Sequence, residues 1–217
     1  MKFSHRLDAA RQLLPYLRPY AGKNTIVLTI PRGAVPMAKY LAGELDASLD
    51  LLNIKKIRHP IHQEIAIGAI SLEYKIIDPL FQIDPAFVAS ETRRLREILL
   101  EREIRYSIGM HHVPLKNKTV IIIDDGIATG NTMLAALAMV SRQNPASIVL
   151  AVPVASPEAL IKLEEKVDKM ICLYAPPDFH SVGEFFVSFP QVSDEDVIST
   201  LQEWNEEHKS VMSERQS

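Results

Sequence analysis

The sequence predicts an α/β fold, a mainly parallel central sheet with helices on both faces. Two observations carry this. The strongest strand candidates, 25–30, 118–125 and 147–154, are continuous apolar runs and not alternating ones. Each is followed by a segment of helix length. Strands that are apolar on both faces need cover on both faces, and a parallel connection needs a crossover, which a helix supplies. The chain has 217 residues, 47% hydrophobic and 24% charged. That suits one domain, with roughly 70% of its unfolded surface buried.

The elements follow in order. Residues up to Tyr20 read as a helix, with Leu7, Leu13, Leu14 and Leu17 as its apolar set. Pro15 and Pro19 are expected to break or bound it. The run 25–30 is rich in β-branched residues and stops at Pro31-Arg32-Gly33. Residues 34–45 read as a helix and 49–54 as a second strand. From Lys55 to Glu64 the chain is polar, basic and interrupted by proline, so a loop is expected. Residues 65–70 and 74–77 can pair as a small hairpin. A long, charge-rich helix covers 84–107, and its pairs Arg93–Glu97 and Glu101–Arg105 fit a solvated face. After the strand at 118–125, residues 130–143 are helical, with Met133, Leu137 and Val140 on one face. A strand at 147–154, a helix at 157–165 and a strand at 169–174 complete the sheet. The last helix, 194–209, follows Ser193, a hydroxyl suited to capping.

Charge and composition exclude several classes. Lys plus Arg is 24 against 27 Asp plus Glu, a net charge of −3. General nucleic-acid binding usually needs a basic excess, so no nucleic-acid partner is expected. No apolar run reaches the length of a membrane span, and no signal peptide is read near the start. The single cysteine, Cys172, has no intrachain partner and fits a reducing, cytoplasmic setting. It reads as a buried strand residue and not as a nucleophile.

In a doubly wound sheet the ligand crevice lies beyond the carboxyl ends of the strands. The informative strand end is Val120-Ile121-Ile122-Ile123-Asp124-Asp125-Gly126-Ile127-Ala128-Thr129-Gly130-Asn131-Thr132. Two adjacent carboxylates end a buried strand, and a glycine-containing turn opens a helix at once. Successive N–H groups at such a start form a nest for a phosphate, and Thr129 and Thr132 add hydroxyls. Charge-assisted hydrogen bonds of roughly 1.5–3 kcal/mol each would hold it. The carboxylates suit hydroxyls, or a magnesium ion reached through water, displaced from the anion. A sugar phosphate satisfies both demands. The competing reading is an ordinary turn with a capping Asp. No Lys precedes Thr132 as in a Walker A loop, and no G-x-G-x-x-G occurs.

This segment resembles the signature with which type I phosphoribosyltransferases bind phosphoribosyl pyrophosphate (PRPP). Leu28 to Pro36, Glu64 to Ala69, Ala151 to Val154 and Phe179 to Gly183 are also similar to a bacterial branch whose acceptor is unknown. The resemblance covers most of the chain. It implies that Asp124 and Asp125 bind the ribose hydroxyls. It also implies that Gly126, Ile127, Ala128, Thr129, Gly130, Asn131 and Thr132 cradle the 5′-phosphate. Mg2+ would accompany PRPP, met by Asp124 and Asp125 through water. The implied organisation is one domain over 1–217. Residues 55–112 would form a flexible loop, hairpin and helix insertion, and a small hood would come from about 1–22 and 174–217. A homodimer is expected by analogy, and small molecules are the expected partners.

The resemblance places the pyrophosphate loop at Arg32 and Gly33, and Arg suits bidentate phosphate binding. Lys55 and Lys56 match the cations of a mobile loop over the pyrophosphate, although solvated side chains would look the same. The family's residues after this pair are usually glycine-rich, and here they are Ile57-Arg58-His59-Pro60. Arg32, Lys56 and Asp125 are the expected catalytic residues. They would support displacement at the anomeric carbon through positioning and electrostatics. Ala128 stands where 6-oxopurine transferases carry an Asp, which disfavours hypoxanthine and guanine. Phe179, Val182 and Phe186 are the candidate acceptor pocket, with plain hydrophobic packing as the alternative. His111-His112 reads as surface. Three functions remain open: an enzyme using PRPP and Mg2+, a PRPP-binding sensor with little turnover, and a hydrolase or phosphorylase of related compounds.

Overall fold

The chain alternates helices and strands from its start. Helix α1 (Arg6–Leu17) leads into β1 (Thr25–Thr29), α2 (Val35–Glu44) and β2 (Ser48–Leu51). An excursion follows, with β3 (Lys55–Arg58), β4 (Ala66–Ile70), β5 (Lys75–Ile77) and the long α3 (Pro85–Tyr106). The chain then returns through β6 (Thr119–Ile123), α4 (Asn131–Ser141), β7 (Ser147–Val154), α5 (Pro157–Glu164), β8 (Lys169–Tyr174) and α6 (Asp194–Ser213). The structure, a computed structural model, describes residues 2–63, 65–78, 80–106 and 113–213. Glu64 and His111-His112 therefore lie outside the described residues.

Five strands form a wholly parallel sheet in the order β2-β1-β6-β7-β8. The predicted fold class is correct, and alternation within each strand explains why both faces are apolar. Ile121 and Ile123 enter one core with α1, α2 and α6, while Val120 and Ile122 enter the other with α4 and α5. The order reverses at β1, which pairs with β2 on one side and β6 on the other. Thr29 stands level with Ile123 across that pair. The residues after both strands thus emerge side by side at the switch point, where such sheets hold ligands.

Two local expectations fail. Pro15 lies inside α1, which continues to Leu17. It forgoes one backbone bond near the helix end, and burial of Leu13, Leu14 and Leu17 outweighs that loss. The basic stretch read as loop begins as strand: Lys55–Arg58 pairs antiparallel with β4, which pairs with β5. Ile57 drives this, being fully buried in a satellite core with Ile67, Ile70, Leu95 and Leu99. The anticipated hairpin is the other part of this three-stranded sheet.

The segment before α1 meets the segment between β8 and α6. The Phe3 amide donates to the Phe185 carbonyl at 2.8 Å, and the Val187 amide donates to the Phe3 carbonyl at 2.8 Å. Among the described residues, no helix is long and apolar enough to cross a membrane.

Candidate functional site

β6 delivers Asp124 and Asp125 to the switch point. The Asp125 amide donates to Asp124 Oδ1 at 2.9 Å. Burial, then the adjacent Asp125 charge, pushes the Asp124 carboxyl well above the ordinary range. Burial also raises Asp125, opposed by Arg6. The turn that follows is latched to β7 and α5. The Ile127 amide donates to the Val154 carbonyl at 3.0 Å, and Ser156 Oγ donates to the Ala128 carbonyl at 2.6 Å. Gly130 has a φ of 72°, a left-handed conformation that favours glycine, and immediately precedes Asn131 at the start of α4. Ala128 and Thr129 are exposed, whereas the Ile127 side chain is core and its amide and carbonyl are taken by the Val154 carbonyl and the Ser156 amide. The first amides of α4, from Asn131 and Thr132 onward, have no intrahelical acceptor. Lys162 of α5 bonds the Asn131 side chain.

Arg6, which sequence reasoning missed, reaches this turn from the start of α1. Its Nε donates to Asp125 Oδ2 at 2.8 Å, with both side chains largely buried. Its Nη1 donates to the Pro190 carbonyl at 2.6 Å, and its guanidinium lies 3.7 Å from the Phe189 ring centroid. A separation of 119 residues leaves no local pattern that would reveal the Arg6–Asp125 pair.

The segment after β1 turns beside the acids. The Pro31–Arg32 peptide is cis. A Cβ on Gly33 would fall on Asp125 Oδ2, so the backbone there can abut the carboxylate only as glycine. Arg32 Nη1 lies 3.4 Å from Asp194 Oδ1 at the start of α6. Asp194 also accepts from the Tyr106 hydroxyl at 2.5 Å, and burial, then this bond, pushes that phenol up to about 12.

Arg32, Gly33 and Lys55 line one cleft of about 570 Å3, together with Arg6, Arg102 and Phe189. Adjacent strand residues face opposite ways, and Lys55 and Lys56 behave accordingly. Burial, then Arg102 and Arg32, pushes the Lys55 ammonium down. Lys56 is pushed down by burial, then by Arg58 and Lys162, and it does not line the cleft. The two lysines expected to act together are thus divided. Lys55 joins the turn after β1, and Lys56 joins the side of the turn after β6.

The three candidate acceptor residues pack against one core and have different neighbours. Val182 sits against Gly126, Phe179 stacks on Phe185 at 5.6 Å, and Phe186 is 5% exposed between Phe3 and Phe189. The ring that reaches the cleft is Phe189. Among the described residues, no group of three or more His, Cys, Asp or Glu side chains is placed to cage a metal. Two carboxylates nonetheless fit a Mg2+ ion that brings its remaining oxygens from phosphates and water.

A doubly wound sheet of this order, with an acid-pair turn at its switch point, has the type I phosphoribosyltransferase fold. The chain belongs to that family, since residues 6–187 match the phosphoribosyl transferase domain. Among its relatives are "Putative phosphoribosyl transferase Rv0571c" and "Putative phosphoribosyl transferase MT0597", from two strains of Mycobacterium tuberculosis. Each is 35% identical over 205 residues, 92% of this chain and 46% of theirs. The chain thus spans about half the length of the curated relatives it matches. The crystal structure of TT1426 from Thermus thermophilus is similar throughout, with a TM-score of 0.86 and 36% identity over 94% of this chain and 99% of that one.

Proposed function

We propose that this chain transfers the 5-phosphoribosyl group of PRPP, with Mg2+, to a nucleophilic acceptor and releases pyrophosphate. The observation that carries this reading is the contact between Gly33 and Asp125. It sets a cation-lined turn directly against an acid pair, the two kinds of group that a molecule with a pyrophosphate and a pentose would need.

In this reading Asp124 and Asp125 accept hydrogen bonds from the ribose hydroxyls. The amides and hydroxyls of the turn before α4 hold the 5′-phosphate. Arg32, Lys55 and the Gly33 backbone hold the pyrophosphate. Mg2+, met through water by Asp124 and Asp125, would neutralise charge building on the leaving group. Displacement at the anomeric carbon breaks its bond to pyrophosphate as the acceptor bond forms, and the chain supplies no covalent nucleophile. Its contribution is alignment and fixed charge, and removing one such charge typically costs about 3 kcal/mol of barrier.

The test is titration with PRPP, with and without Mg2+, followed by pyrophosphate release with a panel of acceptors. Asp125→Asn combined with Thr129→Ala should weaken PRPP binding strongly, and parental affinity in that variant would refute the site. One observation favours a second reading, a PRPP sensor. Lys55 and Lys56 lie in a paired strand, whereas turnover in the family uses an open loop. Saturable binding without release from any acceptor would select the sensor.

A further inference from the structure

This inference rests on the transferase reading and concerns the acceptor, which that reading leaves open. The cleft beside Gly33 is lined by four cations, Arg6, Arg32, Lys55 and Arg102, and by no carboxylate among the described residues. Its polar side chains are therefore donors, apart from the amide of Gln191. The cations are not equivalent. Arg6 is committed to Asp125, the Pro190 carbonyl and the Phe189 ring. Arg32 and Lys55 border the Gly33 turn and are occupied by pyrophosphate in the reading above. Arg102, from the insertion helix α3, remains, and it makes no ion pair among the described residues. Lys55 is pushed down by burial and then by Arg102, Arg32 and Arg94, with Asp194 opposing them. Asp194 is already 3.4 Å from Arg32 and Asp125 is held by Arg6, which leaves Arg102 as a cleft cation with no ion pair of its own among the described residues.

The chemistry of the lining decides what group Arg102 takes. The edge of a neutral base mixes N–H donors with acceptors, and a donor facing a guanidinium is left unpaired on burial. A carboxylate is all acceptor, and it matches the two parallel N–H groups of an arginine. We propose that the acceptor is anionic and carries a carboxylate that Arg102 binds, beside the hood residue Gln191. Arg102 would then act on the acceptor more strongly than on the donor.

Calorimetry on the full chain saturated with Mg2+ and PRPP tests this with matched pairs: nicotinate and nicotinamide, orotate and uracil, anthranilate and aniline. The carboxylate member of at least one pair should bind about tenfold or more tighter than its neutral partner and release pyrophosphate. Arg102→Gln should erase that preference with a smaller loss of PRPP affinity than of acceptor affinity, and Arg102→Lys should keep part of it. Equal or better binding of the neutral partners overturns the proposal, as does failure of every carboxylate to bind. A loss of PRPP affinity in Arg102→Gln equal to the loss for the acceptor also overturns it. A parental chain that does not bind PRPP at all refutes the transferase reading itself, and that result is read in the first titration.

Discussion

Arg6 Nε lies 2.8 Å from Asp125 Oδ2, joining the first residue of α1 to the last acid of the strand-end pair. The pair is largely buried, 11% and 14% exposed at the side chains. Burial alone would drive the Asp125 carboxyl toward its neutral form, and the guanidinium opposes that. Arg6 therefore favours the ionised form of Asp125 against burial, the form that best accepts the proposed ribose contact.

Removing one partner of such a pair strands the other. Arg6→Ala should destabilise the chain by about 3 kcal/mol, because an unpaired carboxylate remains buried. Asp125→Asn in the same background should recover part of the loss. A double-mutant cycle by chemical denaturation measures the coupling, and additive effects would show the pair to be inert.

Gly33→Ala places a methyl group on Asp125 Oδ2. The turn or the carboxylate must move, so PRPP affinity should fall by about tenfold or more, as when a charged hydrogen bond is lost. Circular dichroism should stay unchanged. Parental affinity would mean that the turn yields without cost.

Asp124 carries a pH signature. Its folded pKa is raised by burial and by Asp125, so the folded state holds the proton more tightly than the unfolded chain does. The stability tied to the protonated carboxyl is complete below about pH 4 and is lost as pH rises beyond it. Asp124→Asn should therefore raise Tm without ligand, more at pH 8 than at pH 4, by about 2–4 °C for each 1 kcal/mol. The same variant should lose PRPP binding. A Tm gain independent of pH would contradict the burial argument.

The division of the two lysines gives crossed expectations. Lys55→Met should weaken inorganic pyrophosphate by about tenfold and spare ribose 5-phosphate. Lys56→Met should do the reverse, since its neighbours are Arg58 and Lys162, and Lys162 holds Asn131 of the phosphate turn. Competition titrations with the two ligands read this directly. Parallel losses would place both lysines on one face.

The parallel sheet and the acid-pair turn were legible in the residues because both are local. Ile121, Ile122 and Ile123 declare a strand covered on both faces. Asp124, Asp125, Gly126 and Thr129 stand within one turn of chain, so their chemistry can be read without a fold. Tertiary structure alone decided that Lys55–Arg58 is strand, because one buried isoleucine in a satellite core outweighs three exposed-type charges. It also decided that Arg6, Arg102 and Phe189 share one cleft with Arg32. Those residues carry no signal in their own neighbourhoods. Sheet order, the pairing of Phe3 with residues 185–187 and the packing of α3 bring them together, and no spacing in the sequence encodes a distance through space.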